Sequence, residues 1–167
     1  MPATASSVPS KVMKKKMSLL VALGISTAVF CGIWSALATA FGLLGWAGFA
    51  GCTTYFSTGE HGKAGVLKTV CTNMAGVLCG VASFLLAALI PAFGEWGVWC
   101  TIVTFVMVVL SGLKRFDFCP GIFMGCFCTF AANGDWKQLV PAMLLGAVLG
   151  VICDSTGHWL HRTCNKD

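Results

Sequence analysis

Charged side chains are scarce in this sequence, because Asp, Glu, Lys and Arg together make up only 10% of its 167 residues while 57% are hydrophobic. A soluble domain of this size carries charge on about a quarter of its residues. The few charges are also confined to short stretches, and none lies between Lys16 and Glu60 or between Lys68 and Glu95. With a mean hydropathy of +0.84, the composition excludes a soluble protein and predicts one that is embedded in a membrane.

The charge-free runs set how many helices can cross the bilayer. A hydrocarbon core of about 30 Å requires roughly 20 apolar residues in a helix, so the run from Lys16 to Glu60 accommodates two crossings and each later run accommodates one. Strands are not expected, because a membrane barrel alternates apolar and polar residues and these runs are apolar throughout. The predicted fold class is all-α, with helical segments at about 17–40, 43–58, 64–90, 95–113, 118–132 and 138–157.

Two topologies compete, because the segments 43–58 and 118–132 are short and contain glycines. They either cross fully, which gives six transmembrane helices, or re-enter on one side, which gives four. The positive-inside rule separates the two. Six crossings place ten of the 11 Lys and Arg residues in the cytoplasm and only Lys137 outside, whereas four crossings divide them six to five. Six crossings with both termini in the cytoplasm are therefore predicted.

The predicted topology divides the chain into a disordered basic tail (1–16), a transmembrane domain (17–160) and a second cytoplasmic tail (161–167). A secretory signal peptide is the alternative for the first helix, with Lys14–Lys16 as its basic region. The apolar stretch 17–40 is longer than the roughly 7–15 residues of a signal core. A retained helix is therefore predicted.

An internal repeat relates the two halves of the transmembrane domain, about 17–90 and 91–157. A shift of 74 residues gives nine identical pairs over positions 49–80, formed by Phe49, Gly51, Cys52, Phe56, Lys63, Val66, Gly76, Val77 and Cys79 with the residues 74 positions later. Each half holds three predicted helices, and an odd number makes the halves enter the membrane from opposite sides. Such inverted repeats are frequent in channels and transporters. The alternative is a duplicated bundle that only packs well.

The repeated short segments supply the candidate lining of a permeation path, because glycine-interrupted segments at matching positions mark the site in inverted repeats. Hydroxyls and thiols would set its polarity and aromatic rings would narrow it. Asn73 is added because an amide in lipid should face a partner or a cavity. The candidates are Gly48, Phe49, Gly51, Cys52, Tyr55, Phe56, Asn73, Gly121, Phe123, Gly125, Cys126, Thr129 and Phe130. The alternative is that the glycines serve packing and the aromatic rings fill space.

Two small-xxx-small motifs, Gly76-xxx-Gly80 and Gly146-xxx-Gly150, lie on the third and sixth predicted helices. Small residues let helix backbones approach closely in membranes. The motifs therefore predict helix contacts, either between the two halves or between subunits of a homo-oligomer.

No catalytic constellation is present in the sequence, which contains no Ser/His/Asp arrangement, phosphate loop or HExxH motif. His158, His161 and Cys164 have a spacing that metal ligands could use, but Trp159 and the basic residues beside them favour an interfacial helix end. His61 is expected in a solvated cytoplasmic loop. The ten cysteines are scattered through apolar runs and are interpreted as small hydrophobes. No enzyme activity, cofactor or metal is predicted.

Four stretches carry a resemblance to a known family: GLLGWAGFAGCTTYF at 42–56, PGIFMGC at 120–126, TFA at 129–131 and GDWK at 134–137. Together they resemble the small bacterial inner-membrane proteins of the YcdZ type, a domain-of-unknown-function family, over residues from about 17 to 160. The basic tail and the high cysteine count depart from that family. The resemblance implies a polytopic membrane protein and brings no substrate or catalytic residues.

These patterns predict a small-solute channel or transporter whose substrate is small or uncharged, whose neighbours are the lipids of a plasma or bacterial inner membrane, and which forms a homo-oligomer. The alternative is a non-transporting membrane scaffold or accessory subunit. A thiol-redox protein that uses Cys126 or Cys128 is a third hypothesis. Nucleic acid is not an expected partner, because the net charge of +5 comes from the ends and short loops.

Overall fold

The computed structural model describes residues 16–90 and 97–166, which form six α-helices and contain no β-strand. The all-α class is therefore confirmed. The predicted tail 1–16, apart from Lys16, and the break at Pro91 and Gly94 lie outside the described residues. The helices are α1 (Leu19–Phe41), α2 (Gly45–Ser57), α3 (Gly62–Leu89), α4 (Gly97–Leu110), α5 (Cys119–Ala131) and α6 (Trp136–Cys164).

The helices fall into two length classes. By length and composition α1, α3 and α6 are able to cross a membrane. α2 and α5 have 13 residues each, or about 20 Å at 1.5 Å per residue, which is less than a bilayer core. α4 has 14 residues within the described range, which resumes at its first residue, Gly97. α6 also runs to Cys164 instead of ending near residue 157, so most of the predicted C-terminal tail is helical.

α1 and α6 begin and end next to polar residues or glycine in the sequence. α1 begins after Ser18, whose side chain accepts a hydrogen bond from the Val21 amide, and it ends at Gly42 with φ 64°. α6 begins after Asp135, which accepts from the Gln138 amide in the same way. Such caps satisfy backbone donors that the first helical turn leaves without partners.

α1 and α6 pack against each other in opposite directions. The Met17 amide at the start of α1 donates to Asn165 Oδ1 just beyond α6, at 3.0 Å. Further along, the Ser26 hydroxyl donates to the Cys153 carbonyl oxygen at 2.8 Å. Because positions rise along α1 as they fall along α6, the two helices are antiparallel.

α3 and α6 are also antiparallel. His61, which precedes α3, lies beside Asp154 in the C-terminal half of α6. At the opposite end, Gly134, which precedes α6, lies against the ring of Phe84 near the end of α3. α3 and α6 therefore run in opposite directions through the molecule.

Basic residues gather at one end of the helices, which we call the His61 end. There Lys68 Nζ lies 3.1 Å from Asp117 Oδ1 and 3.8 Å from Glu60, which joins the α2–α3 loop to the α4–α5 loop. The opposite end, which we call the Lys137 end, holds the Asn133–Asp135 turn and the start of α6. The described basic residues at the His61 end are Lys16, Lys63, Lys68, Lys114, Arg115, Arg162 and Lys166.

The outer surface of the described helices is rich in large apolar side chains. On α1 Leu20 is 80% exposed, and on α4 Phe105 is 69% exposed. The interior is built instead from small and medium side chains, such as Ala47, Ala142 and Met143. This distribution, with apolar groups facing outward along whole helices, matches a protein whose solvent is lipid.

Candidate functional site

Glycines make the contact between α2 and α6. A Cβ added to Gly146 of α6 would clash with the carbonyl oxygen of Gly48, and one added to Gly51 would clash with the backbone of α6. Two turns after Gly48, the ring of Tyr55 fills the space beside Gly150. Positions rise together along both helices, so α2 and α6 are parallel and their backbones nearly touch.

A corresponding contact joins α5 and α3. A Cβ added to Gly76 of α3 would clash with the carbonyl oxygen of Ile122, and one added to Gly125 would clash with the backbone of α3. The side chain of Thr129 fills the space beside Gly80. α5 and α3 are therefore parallel, and they pack in the same manner as α2 and α6.

The two contacts correspond residue by residue. Between α2 and α5 the matching positions differ by 74, which is the spacing of the sequence repeat. Between α3 and α6 the matching positions differ by 70, which is about one helical turn less. With this spacing Gly76-xxx-Gly80 of α3 corresponds to Gly146-xxx-Gly150 of α6. The matched positions are Gly48 with Ile122, Gly51 with Gly125, Tyr55 with Thr129, Gly76 with Gly146, and Gly80 with Gly150.

The candidate lining residues are divided among three environments. The glycines Gly48, Gly51, Gly121 and Gly125 lie against neighbouring helices. Phe49, Phe56 and Phe123 are 38–40% exposed. The remaining candidates, Cys52, Tyr55, Asn73, Cys126, Thr129 and Phe130, lie inside the bundle or beside a cavity. Within one copy of the chain, the glycine faces therefore meet helix backbone or side chains and not open space.

One cavity brings three of the candidates together. It lies between α3, α4 and α5, has a volume of about 200 Å³, and is lined in part by Phe123, Cys126 and Phe130. Ser83 of α3 and Cys100 of α4 add polar groups to its wall. Every residue that lines this cavity is uncharged.

Asn73 lies fully inside the bundle, where its backbone packs against Gly125. Among the described residues, its side-chain oxygen Oδ1 has no hydrogen-bond partner, and neither has the hydroxyl of Thr69 one turn before it. Two buried polar groups without hydrogen-bond partners on one face of α3 are unusual, because such groups each cost about 1–3 kcal/mol.

In the first half, Trp34 of α1 occupies the space beside Gly48. The Trp34 indole covers Gly48, and its Nε1 donates to the Gly45 carbonyl oxygen at 2.9 Å. Nearby, the thiols of Cys31, Cys52 and Cys153 lie within 4.8 Å of one another. Cys126 and Cys128 belong to separate packing clusters.

A polar cluster lies at the His61 end, around the carboxylate of Asp154. This carboxylate is only 5% exposed, and the Tyr55 hydroxyl donates to its Oδ2 at 2.9 Å. His61 Nδ1 lies 3.0 Å from the same oxygen, and His158 Nε2 lies 3.5 Å from Oδ1. We call Asp154, His61 and His158 the His/Asp cluster.

The sequence did not predict the His/Asp cluster. It grouped His158 with His161 and Cys164 by spacing along one helix, whereas His161 accepts a hydrogen bond from Asn165 instead. His61 is exposed as expected, but it is paired and not merely solvated. The available signal was the i, i+4 spacing of Asp154 and His158, which places both on one face of α6.

Most of the chain is similar to known proteins. Residues 24–158 match the profile of a family described as a protein of unknown function (DUF1097). The chain is 37% identical over 145 residues to "Inner membrane protein YcdZ" of Escherichia coli (strain K12), which covers 86% of this chain and 89% of that protein. It is 36% identical over 145 residues to the Salmonella typhimurium protein of the same name, with coverages of 86% and 91%. No solved structure matches. The resemblance predicted from the motifs is therefore confirmed.

Proposed function

Because the chain belongs to the DUF1097 family of unknown function, whose YcdZ members are inner membrane proteins, we propose that it is a small-solute channel or transporter of the inner membrane. It is built as a 3+3 inverted repeat with six crossings and both termini in the cytoplasm. Its solute is small and uncharged.

The directions of the helices support six crossings. In a four-crossing topology with α2 and α5 re-entrant, α3 and α6 would traverse the bilayer in the same direction. The contacts of His61 with Asp154 and of Phe84 with Gly134 have the opposite sense. The accumulation of basic residues at the His61 end supports a cytoplasmic position for that end.

The reciprocal contact of α2 with α6 and of α5 with α3 is the observation that carries the inverted repeat. Each short helix of one half packs in parallel on the last helix of the other half, through glycines at matching positions. A pseudo-twofold exchange of halves accounts for both contacts at once. In transporters of this architecture the substrate site lies near the midplane, beside the short or broken helices of the two halves.

The cavity between α3, α4 and α5 is proposed to form part of the permeation path of the solute. Its walls combine aromatic rings with the thiols of Cys100 and Cys126 and the hydroxyls of Ser83 and Thr104. An uncharged wall of this kind offers no opposite charge to offset the desolvation of an ion. A neutral solute therefore fits better than an ion.

A homo-oligomer is part of the proposal, but its contacts would not use the small-xxx-small motifs. Gly76, Gly80, Gly146 and Gly150 are covered within one copy of the chain. The apolar outer faces of α1 and α4 are the surfaces that remain for a second copy.

The alternative function is a non-transporting membrane scaffold or accessory subunit. It is favoured by the closed glycine faces, because within one copy they leave no opening between α2 and α5. The two functions differ in one measurable respect, which is flux.

The test is solute flux into liposomes that contain the purified full-length chain, with a panel of small neutral solutes and one monovalent salt as the ionic comparison. Light scattering after an osmotic step reports entry. We expect flux of at least one neutral solute above that of protein-free liposomes, and no flux of the salt. Absence of flux for every solute in correctly inserted protein would favour the scaffold.

A matched pair of variants localises the path. Cys126→Phe fills the cavity and should reduce flux at least tenfold, whereas Leu78→Phe, which adds the same ring on the exposed face of α3 outside the cavity, should leave it unchanged. Both variants must elute from gel filtration as the parent chain does. Equal flux through both would remove the cavity from the path.

A further inference from the structure

We propose that the His/Asp cluster at the His61 end is a binding site for a divalent first-row transition-metal cation such as Zn²⁺ or Co²⁺. The ligands would be His61 Nδ1, His158 Nε2 and the carboxylate of Asp154. The proposal concerns binding, and it holds whether or not the chain transports a solute.

The distances fit a shared cation. Nitrogen and oxygen ligands lie about 2.0–2.1 Å from Zn²⁺, so neighbouring ligand atoms are about 2.8–3.0 Å apart in an octahedral site and about 3.3–3.4 Å apart in a tetrahedral one. The separations from Asp154 are 3.0 Å to His61 and 3.5 Å to His158. All three ligand atoms lie within 4.8 Å of one another. Two imidazoles and one carboxylate form a ligand set that Zn²⁺, Fe²⁺ and related ions accept.

A second layer of hydrogen bonds holds the carboxylate in place. The Tyr55 hydroxyl donates to Asp154 Oδ2, and it accepts in turn from the Gly62 amide at 2.8 Å. Metal-binding carboxylates are commonly oriented by such outer partners. The chain's single tyrosine therefore positions the one buried carboxylate among the described residues.

Packing alone does not require these polar groups. The α5–α3 contact closes in the same way, but there Thr129 takes the position of Tyr55. Phe84, one turn after Gly80, takes the position of Asp154, which lies one turn after Gly150. There Phe84 packs on Phe130 with ring centroids 5.3 Å apart. The same helix contact is made elsewhere in the chain without ionisable side chains, so the His/Asp cluster needs another explanation.

The site is also open to solvent. The His61 side chain is 71% exposed, and the cluster faces a groove of about 510 Å³ that is lined also by Trp159 and Arg162. A cation can therefore enter and keep water in its remaining positions. A bound cation would tie the loop before α3 to α6.

The experiment is a titration of the chelator-treated full-length chain in detergent with Co²⁺, followed by absorbance. Thiolate ligands give an intense near-ultraviolet charge-transfer band, whereas imidazole and carboxylate ligands give only weak visible bands. This difference separates the His/Asp cluster from the thiols of Cys31, Cys52 and Cys153. A thermal melt with and without Co²⁺ provides a second readout, because a ligand that binds only the folded chain raises the melting temperature.

We expect saturable binding of one Co²⁺ without a thiolate band, together with a higher melting temperature. His61→Ala and His158→Ala should each weaken binding at least tenfold and abolish the melting shift. His161→Ala is the matched control, because His161 lies on the same helix end outside the cluster, and it should change neither readout. His61→Ala tests the site without a packing change, since its side chain is largely exposed.

Three results would overturn the proposal. Absence of saturable Co²⁺ binding would make the cluster a hydrogen-bonded ion-pair network only. A thiolate band at saturation would assign the ion to the cysteines. Equal affinities for His61→Ala, His161→Ala and the parent chain would place the ion elsewhere.

Discussion

At the scale of single residues, the glycines of this chain are not equivalent. Gly76 of α3 faces the backbone of α5, whereas a Cβ added to Gly32 of α1 would meet no atom within 4 Å. Substitution by alanine should therefore have different effects at the two positions.

Gly76→Ala should destabilise the protein by about 1–3 kcal/mol, because the new methyl group meets a carbonyl oxygen that cannot move without separating two helices. Gly32→Ala should be neutral or should stabilise by up to about 1 kcal/mol, because alanine is the better helix former. Thermal unfolding in detergent, followed by circular dichroism, measures both. Equal effects would mean that α3 and α5 are not in backbone contact.

The Tyr55 hydroxyl has two hydrogen bonds in the interior, one given and one received. Tyr55→Phe should destabilise by about 1–3 kcal/mol, because it leaves the buried Asp154 carboxylate and the Gly62 amide each short of a partner. Ser57→Ala is the control, since that hydroxyl forms only an exposed bond to the Thr53 carbonyl oxygen, and we expect a change within about 0.5 kcal/mol. Chemical unfolding of both variants in the same detergent makes the comparison, and a Tyr55→Phe loss no larger than that of Ser57→Ala would contradict it.

Sequence patterns identified these residues unequally. The small-xxx-small motifs located Gly76, Gly80, Gly146 and Gly150, because close helix approach leaves a compositional trace. The His/Asp cluster leaves only the i, i+4 spacing of Asp154 and His158, because His61 and Asp154 are separated by 93 positions and meet only when α3 and α6 pack. Contacts of that kind depend on helix direction and rotation, which hydropathy does not encode.

At the scale of elements, the sequence predicted the number and order of the helices well because each break carries Gly, Asn or charge. It overestimated the lengths of α2 and α5 and underestimated the length of α6, since an apolar run gives no sharp boundary where a helix ends. The sequence repeat also relates α3 to α6 by a spacing of 74 residues, whereas the glycine contacts of the two helices correspond at a spacing of 70 residues. Sequence identities therefore give one spacing between α3 and α6, whereas the positions of their helix contacts give a spacing about one turn shorter.

Trp34 couples α1 to α2, because its ring covers Gly48 and its indole N–H donates to the Gly45 carbonyl oxygen at the start of α2. Trp34→Ala should cost about 3–5 kcal/mol, the usual range for a large buried aromatic residue. Trp46→Ala, which removes a 40% exposed ring from α2 itself, should cost much less. Melting temperatures of the two purified variants test the difference, and similar losses would show that Trp34 is not a structural anchor.

At the scale of the whole molecule, the basic His61 end and the Lys137 end should lie on opposite sides of the membrane. Single cysteines at Glu60, Lys114 and Lys137, in a background with the ten native cysteines replaced, report this through a membrane-impermeant maleimide added to spheroplasts. All three positions are exposed, so labelling depends on side and not on burial. The background qualifies if it elutes from gel filtration as the parent chain does.

We expect Lys137→Cys to react in intact spheroplasts, and Glu60→Cys and Lys114→Cys to react only after the membrane is opened. The physical reason is charge, because seven described Lys and Arg residues at the His61 end resist translocation, against one at the Lys137 end. Labelling of Glu60→Cys and Lys137→Cys from the same side would mean that α3 and α6 do not traverse the bilayer in opposite directions. The inverted repeat would then be excluded, while the reciprocal glycine contacts would require another origin.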